Sequence, residues 1–310
     1  MDQTGAIYSL PNEGNGKMST STAGNFELSP HAEVGAVTLR VQNIDRMGAF
    51  YDAVMGFNPV EKREDMVEMT VPDGKPLVQL VSDPGAEQKP VGTAGLYHFA
   101  VLLPERQALA LVLQRLIDRR YPLQGAADHF VSEAVYLADP EGNGIEVYAD
   151  RSSEVWQDAD GGLRMGTVAL DVDDLLSEIE GNQDRSDDLP DGTKLGHIHL
   201  HVAELESSVQ FYRDVLGFDL MMRYGGSAAF LSVGGYHHHI GLNTWAGVGA
   251  PPKPPGSTGL VEFTVELPEI EDLDRLAASA QSASIDYERQ DGLLSLMDPS
   301  ENRIVFKKTT

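Results

Sequence analysis

Hydrophobic and polar residues alternate at the start of two similar segments, Val34–Val60 and Leu195–Met221. The first segment opens with "VGAVTLRV" and the second with "GHIHLHV", and this alternation predicts β-strands that bury one face. Each strand is followed by a helical pattern that starts near an acidic residue, contains a Phe-Tyr pair and ends at a Gly-Phe turn. Further strand patterns follow each turn. The two segments therefore form an internal repeat.

A second repeat links Gly95–Tyr148 to Gly259–Phe306, through "GLYHFAVLL" and "ADPEGNGIEVY" in the first copy and "GLVEFTVEL" and "MDPSENRIVF" in the second. The two kinds of repeat alternate along the chain, giving four modules of roughly fifty residues, each a strand, a helix and about three strands. We number them modules 1 to 4. The pattern predicts an α+β fold of four βαβββ modules.

The modules divide the chain into predicted regions. Residues 1–30 are polar and rich in Gly and Ser, which predicts a flexible tail. Residues 31–150 contain modules 1 and 2, and residues 192–310 contain modules 3 and 4. The acidic stretch 151–191 between them predicts an exposed, partly helical connector.

Four modules with these signatures resemble the vicinal oxygen chelate superfamily over about Val34–Phe306. That superfamily contains extradiol ring-cleaving dioxygenases, glyoxalase I and bleomycin-resistance-type binding proteins. The resemblance implies that modules pair and curl into cups, two in this chain, and that metal ligands lie on strands lining a cup.

The segment Asp128–Tyr148, "DHFVSEAVYLADPEGNGIEVY", resembles the extradiol dioxygenase signature more specifically. Several unlike residues fall at the spacing of that signature: His129, Tyr136, Asp139, Pro140, Gly142 and Glu146. On the predicted strand "GIEVY", Glu146 faces the side opposite Ile145 and Val147. A buried carboxylate needs a partner. A divalent cation is one such partner, and a buried arginine or a solvent-facing edge is the alternative.

Two histidines complete a ligand set that the resemblance implies. His98 occupies the first-strand ligand position of module 2, although a lone strand histidine is more often a core or surface residue. Alternation places all three histidines of "GHIHLHV" on one face, and the family register selects His197, five residues before Val202. Two histidines and one carboxylate leave open positions on Fe(II) or Mn(II) for a diol and O₂.

The distribution of these ligands predicts which modules pair. The positions equivalent to His98, Glu146 and His197 in the other repeats hold Glu262, Val305 and Ala36. The ligands meet if module 2 faces module 3, which leaves module 1 to pair with module 4. Common two-domain extradiol enzymes instead pair modules 1 with 2 and 3 with 4. A metal shared across two cups is the geometrically less favourable alternative.

A second histidine cluster, "YHHHIGLNTW", begins at Tyr236 and reads as the last strand of module 3. The resemblance implies an acid-base histidine here, which the family pattern assigns to His238, with His237 and His239 on the other face. A surface strand that binds metal adventitiously is the alternative. His239, His199 and Trp245 are candidate substrate-binding residues. Trp245 opens a Gly/Pro-rich segment that either covers the substrate or tethers modules 3 and 4.

The resemblance also implies roles for Tyr136 and His129. Tyr136 matches a family tyrosine that hydrogen-bonds a substrate oxygen, although a core aromatic residue is the alternative. His129 matches a pocket histidine that donates a proton, although it lies near a predicted loop and could belong to the ordinary surface.

These residues imply an extradiol ring-cleaving dioxygenase that acts on a catechol-type diol with O₂, with Fe(II), or alternatively Mn(II), as cofactor. A glyoxalase I-type isomerase is the enzymatic alternative, but it usually needs a fourth ligand, a carboxylate on the last strand of the partner module. "HHHIGLN" offers none. A non-enzymatic small-molecule-binding protein is the third alternative, and such sites generally lack the metal triad.

Composition restricts the partners and the environment. The chain has 48 acidic against 23 basic residues and a formal net charge of -25, which repels nucleic acid and anionic membranes. The acidic excess with scarce lysine resembles proteins of salt-loving organisms, and it is compatible with a homo-oligomer. The chain has no cysteine, and no signal-peptide pattern or long apolar run occurs, which predicts a cytoplasmic protein.

Overall fold

The four modules form two curled sheets, described by a computed structural model for residues 26–63, 65–72, 74–158, 160–181 and 186–309. Module 1 comprises β1 (Glu33–Val41), α1 (Ile44–Phe50), β2 (Asn58–Arg63), β3 (Met66–Thr70) and β4 (Pro76–Ser82). Module 2 comprises β5 (Gly95–Leu103), α2 (Arg106–Asp118), β6 (Leu123–Asp128), β7 (Ser132–Ala138) and β8 (Gly144–Asp150). Short strand β9 (Val168–Ala169) and helix α3 (Val172–Ser177) lie in the connector.

Modules 3 and 4 repeat the order strand, helix and three strands. Module 3 comprises β10 (Lys194–His201), α4 (Leu205–Gln210), β11 (Asp219–Tyr224), β12 (Ala228–Ser232) and β13 (Ile240–Asn243). Module 4 comprises β14 (Gly259–Leu267), α5 (Glu271–Ser282), β15 (Tyr287–Gln290), β16 (Leu293–Met297) and β17 (Arg303–Lys308). Helices α1 and α4 each continue into a π-helical turn, Tyr51–Met55 and Phe211–Val215. The predicted α+β fold of four βαβββ modules is confirmed.

Each sheet combines modules from different halves of the chain. The eight-stranded sheet runs β15-β16-β17-β14-β1-β4-β3-β2, so module 1 pairs with module 4. The nine-stranded sheet runs β11-β12-β13-β10-β5-β8-β7-β6-β9, so module 3 pairs with module 2. The antiparallel contacts of β1 with β14 and of β5 with β10 join the modules. The pairing predicted from the ligand distribution is confirmed.

The central strands have one face in the hydrophobic core and one face in a cup. On β10, Ile198 and Leu200 are fully buried in the core, while His197 and His199 occupy the alternate positions. Helix α2 packs against the outer face of β5, β7 and β8. The alternation in the sequence therefore separates the residues that stabilise the sheet from those that line the cup.

Two equivalent tyrosines, one in each half of the chain, connect modules that follow each other in sequence. The Tyr51 hydroxyl donates to Asp139 at 3.1 Å, and the Tyr212 hydroxyl donates to Asp298 at 3.2 Å. All four residues are buried. The Phe-Tyr pairs and the Asp-Pro turns recur in the sequence because helix and turn meet in the same way in both halves.

Two predicted boundaries need correction. Leu28 is buried, and its N–H donates to the Gly217 carbonyl at 3.1 Å, so the end of the predicted flexible tail is anchored to module 3 and the prediction is wrong for Leu28. Residues 1–25 lie outside the described part of the chain. The connector is partly helical as predicted, but it is not simply exposed, because Leu175 and Ile179 are buried and β9 extends the sheet beside β6.

No helix within the described ranges combines the length and apolar character needed to span a bilayer.

Candidate metal centre

Three side chains from three neighbouring strands converge in the cup of the nine-stranded sheet. His98 lies on β5, Glu146 on β8 and His197 on β10. Glu146 Oε2 lies 3.1 Å from His98 Nε2 and 3.2 Å from His197 Nε2. One ligand atom from each residue lies within 4.8 Å of the other two, and all three side chains are buried. The geometry brings the three predicted ligands together.

The strand register explains why these side chains meet. Ala100 on β5 is the Cα partner of Glu146 on one side and of His197 on the other. Its methyl group leaves room above the sheet for the larger side chains beside it. Gly196 permits a second close approach, because a Cβ at that position would overlap the Tyr148 hydroxyl.

The donor set fits a divalent cation. Burial raises the pKa of the Glu146 carboxyl, but His197 and His98 outweigh burial and hold that pKa well below its usual range. Burial lowers the pKa of His197, which favours the neutral ring that a metal requires. Within the described part of the chain, His98 Nε2 is buried without a properly oriented hydrogen bond, although it faces the carboxylate. A carboxylate and two imidazole nitrogens around one point are suitable ligands for Fe(II) or Mn(II).

His199 lines the same cup beside the three candidate ligands. It is the Cα partner of His98, and the two ring centroids lie 4.9 Å apart. Its Nε2 is buried without a hydrogen-bond partner among the described residues, and burial lowers the pKa of the ring well below its usual value. Gly241 on β13 makes room for this ring, since a Cβ there would lie 2.7 Å from His199 Cγ.

Tyr97 reaches the cup through a β-bulge that sequence alternation did not reveal. His199 pairs with His98 but Leu200 pairs with Leu96, so Tyr97 is the extra residue on β5. Its ring lies 4.9 Å from His98, 4.9 Å from His201 and 5.3 Å from Trp245, measured between centroids. Tyr97 is 40% exposed and Trp245 is 48% exposed. These two rings form an aromatic mouth beside the cluster, which we call the Tyr97–Trp245 mouth.

The predicted loop after β13 is irregular in structure and begins near this mouth. Trp245 Nε1 donates to Ser227 Oγ at 3.1 Å, and the indole lies 5.5 Å from the His199 ring. Residues 244–258 contain no helix or strand. The loop therefore joins modules 3 and 4 while presenting Trp245 next to His199.

Tyr136 and His129 form a hydrogen-bonded pair at the side of the cup. Tyr136 on β7 is the Cα partner of Glu146, and its hydroxyl lies 2.6 Å from His129 Nε2. His129 Nδ1 lies 2.8 Å from the Gly166 carbonyl oxygen, which can only accept. A neutral His129 therefore carries its proton on Nδ1, and its Nε2 accepts the Tyr136 hydroxyl proton. This geometry favours a site residue over an ordinary surface histidine.

The triple histidine precedes the last strand of module 3 instead of lying within it. Strand β13 starts at Ile240, so the alternation assumed for the three histidines is wrong. His238 is buried, with its ring centroid 4.1 Å from that of His197. His237 does not face away, because its Nδ1 lies 2.9 Å from His238 Nδ1 and its Nε2 lies 2.8 Å from Asp150 Oδ1.

His239 occupies a different environment from its two neighbours. Its Nδ1 accepts a hydrogen bond from the Ser232 hydroxyl at 2.8 Å, and its ring packs 4.9 Å from that of Tyr236. Burial lowers the pKa of His239 to about 3, so the ring is uncharged. His239 directly precedes β13, and these contacts are with other residues of module 3.

The connector supplies two groups to the cup that the sequence did not identify. Its Gly166 carbonyl holds His129, and Trp156 packs 5.1 Å from the His237 ring. A backbone carbonyl carries no side-chain signal in a sequence. Trp156 is the other tryptophan in the chain, but it lies in an acidic segment without a recognisable motif.

Residues 33–147 and 194–306 match the family model described as Glyoxalase/Bleomycin resistance protein/Dioxygenase superfamily. The chain belongs to this superfamily. Over 269 residues, it is 45% identical to the Bacillus subtilis (strain 168) protein named Catechol-2,3-dioxygenase, covering 86% of this chain and 93% of that protein. The superfamily resemblance inferred from the sequence motifs is confirmed.

Solved structures support the superfamily fold. A structure from Bacillus subtilis subsp. subtilis strain 168 has a TM-score of 0.66 and 14% identity, covering 91% of this chain and 86% of that one. Glyoxalase I from Zea mays has a TM-score of 0.55 and 16% identity, covering 89% of this chain and 92% of that one. At such identities the likeness concerns the fold alone.

Proposed function

We propose that this superfamily member is an extradiol ring-cleaving dioxygenase that acts on a catechol-type aromatic diol with O₂. The convergence of His98, Glu146 and His197 in one buried cluster carries the proposal. The 45% identity to a protein named Catechol-2,3-dioxygenase supports the same reaction class.

The three converging residues would hold Fe(II), with Mn(II) as the alternative cation. When bound to two imidazoles and one carboxylate, either metal supplies open coordination positions where a diol and O₂ can be brought together. In this proposal, Glu146 offsets part of the metal charge, and the neutral histidines supply nitrogen lone pairs.

His238 is the proposed acid-base residue. Burial lowers the pKa of its imidazole well below the usual value, so the ring is neutral and can accept a proton from a diol hydroxyl. Its ring lies against His197, which places it next to the proposed metal ligands. The same ring can later return the proton to the product.

Tyr136 and His129 act together in the proposed site. Because the Tyr136 hydroxyl proton is donated to His129, the oxygen of Tyr136 is oriented to accept a hydrogen bond from the diol. His129 is held by Gly166, so its Nε2 can take up the Tyr136 proton when the Tyr136 oxygen accepts one from the diol, and the same path can later return a proton to the reacting oxygen.

The substrate-binding roles proposed from sequence fall into two groups. His199 and Trp245 line the cup and its mouth, where Tyr97 joins them against the substrate ring. His239 contacts Ser232 and Tyr236 instead, so its proposed contribution is to support the segment that carries His238.

A glyoxalase-type reaction fits this site less well. Strand β13, "IGLN", carries no carboxylate, and the candidate metal cluster within the described residues contains Glu146 as its one acidic member. A binding protein without chemistry would not require two histidines and a carboxylate to be buried together at a cost in solvation.

The proposal is tested with anaerobically Fe(II)-loaded protein, catechol and measured oxygen uptake. We expect a yellow ring-cleaved product with one O₂ consumed per diol. Glu146→Ala and His197→Ala should lose both the bound iron and the product. Glu262→Gln is the matched control, because Glu262 occupies the position of His98 in the other cup, where it pairs with Arg303.

Three results would contradict the proposal, one from activity and two from metal analysis. The first is a loaded protein that ignores catechols but isomerises the thiol adduct of methylglyoxal. The others are an elemental analysis that finds no divalent metal after reconstitution, and one that finds equal metal in the wild type and Glu146→Ala.

A further inference from the structure

A chain of hydrogen-bonding groups lies behind His238. Asp150, at the end of β8, lies 2.8 Å from His237 Nε2, and His237 Nδ1 lies 2.9 Å from His238 Nδ1. His237 is completely buried. The three groups therefore connect the end of a module 2 strand to the proposed acid-base residue of module 3.

Three aromatic rings confine His237. Tyr236 packs at 4.1 Å and Trp156 at 5.1 Å from its ring, measured between centroids. The Tyr236 hydroxyl lies 2.6 Å from that of Tyr148, a buried residue on β8. This packing restricts rotation of the His237 ring, so the two hydrogen bonds define the orientation of its nitrogens.

Hydrogen-bond rules limit where the protons are. The Asp150 carboxylate only accepts, so His237 Nε2 carries a proton and donates. A neutral His237 then has a lone pair on Nδ1, and His238 must donate from its own Nδ1. The lone pair of His238 is thereby left on Nε2, the ring nitrogen that does not face His237.

A charged His237 would give the opposite result. It would donate from both nitrogens, so His238 Nδ1 would accept and His238 Nε2 would carry the proton. A neutral ring with a proton on Nε2 has no lone pair to offer at that atom. The neutral His237 arrangement is the one that leaves His238 able to accept a proton from a substrate.

We propose that His237 and Asp150 are positioning residues that hold His238 in its Nδ1-protonated tautomer, with the Nε2 lone pair available to the diol. This inference rests on the proposed function, since it assigns the reacting atom of the proposed acid-base residue. A carboxylate that fixes a tautomer through an imidazole is an established device in metal sites and catalytic triads.

The tautomers are measured directly by nitrogen NMR, independently of turnover. The full chain is labelled with ¹⁵N-histidine and examined without added metal and with Zn(II), a diamagnetic cation, at a pH well above that of an ordinary histidine pKa. Comparison with His238→Gln assigns the His238 signals. We expect a proton on Nδ1 of His238 and on Nε2 of His237.

Variants test whether His237 and Asp150 enforce this state. Asp150→Asn and His237→Leu should give a mixed or reversed His238 tautomer and a roughly 10–100-fold lower kcat with a nearly unchanged KM. His237→Asn should retain much of both properties, because its side-chain oxygen can accept near the position of Nδ1. His31→Leu, a change at an exposed histidine outside the site, is the control.

Two spectral results would overturn the inference. One is a wild-type His238 protonated on Nε2, and the other is an unchanged tautomer in both Asp150→Asn and His237→Leu. If the iron-loaded wild type cleaves no diol, the proposed function fails, but the spectra still decide the tautomer assignment.

Discussion

Replacing Arg106 with methionine should destabilise the protein and release the connector from module 2. Arg106 starts α2 and donates to Glu133 at 2.5 and 3.3 Å, to Asp174 at 2.6 Å and to Glu178 at 2.6 Å. Glu133 belongs to module 2, whereas the other two carboxylates belong to the connector. Methionine keeps an apolar stem of similar length but removes the charge and every donor.

The expected loss has two parts. Glu133 is 4% exposed and would keep one partner, Arg151 at 3.0 Å. Leaving this buried carboxylate partly unpaired costs roughly 2–3 kcal/mol. The Asp174 and Glu178 side chains are 63% and 41% exposed, so their pairs add only about 0.5 kcal/mol each. Together these figures predict a decrease of about 3–4 kcal/mol in the free energy of unfolding.

Urea unfolding followed by circular dichroism measures this decrease, and limited proteolysis reports cleavage within residues 151–191. Arg213→Met is the control, because Arg213 pairs with Asp214 on the surface and should lose under about 1 kcal/mol. Adding Glu133→Gln to Arg106→Met should restore part of the stability by removing the unpaired charge. The reasoning is refuted if Arg106→Met behaves like the control, or if the second substitution only adds to the loss.

The remaining predictions concern the tyrosine contacts, the mouth and the pH dependence. Tyr51→Phe and Tyr212→Phe should each lower the free energy of unfolding by about 1–2 kcal/mol in urea titrations, because each removes a separate buried hydrogen bond. The double variant should lose the sum of the two decreases. A double variant as stable as either single variant would contradict this. Tyr97→Ala should raise KM for the diol several-fold with little change in kcat, since its ring lies at the mouth. Steady-state kinetics that show a lower kcat with an unchanged KM would contradict a role of Tyr97 at the mouth. Because burial lowers the pKa of His239 from 6.5 to about 3, unfolding takes up a proton in that range and stability falls as the pH drops through it. His239→Gln should flatten the plot of stability against pH by up to about 1.4 kcal/mol per pH unit, and parallel plots would refute the assignment.

The repeats in the sequence were sufficient to predict the module architecture. Strand alternation and the recurring Asp-Pro turns are local patterns, so they are visible without knowledge of the fold. The convergence of His98, Glu146 and His197 could be predicted because the resemblance to the superfamily implies a ligand at each of these strand positions. Their absence from the other repeats then decided which modules had to face each other.

The rest of the site depends on features that have no local signature. The bulge at Tyr97 arises from the pairing of β5 with a strand almost a hundred residues away, so the alternation within β5 gave no sign that this residue would reach the mouth of the cup. The histidines before Ile240 lie outside regular structure, and strand alternation did not apply to them. Asp150 contacts His237, and Gly166 contacts His129, through long-range hydrogen bonds that only the folded chain reveals.

The pairing of β1 with β14 also affects how the protein folds during its synthesis on the ribosome. Ala36 N–H donates to Thr264 Oγ1, across a sequence separation of 228 residues. During translation, β1 has one edge without its partner strand until nearly the whole polypeptide has left the exit tunnel. Such nonlocal topology slows folding and exposes nascent intermediates to aggregation. A fragment with modules 1 and 2 alone would contain β1 and β5 without their partners β14 and β10, and a fragment with modules 3 and 4 would contain β14 and β10 without β1 and β5. We expect the two fragments to fold only when they are produced together.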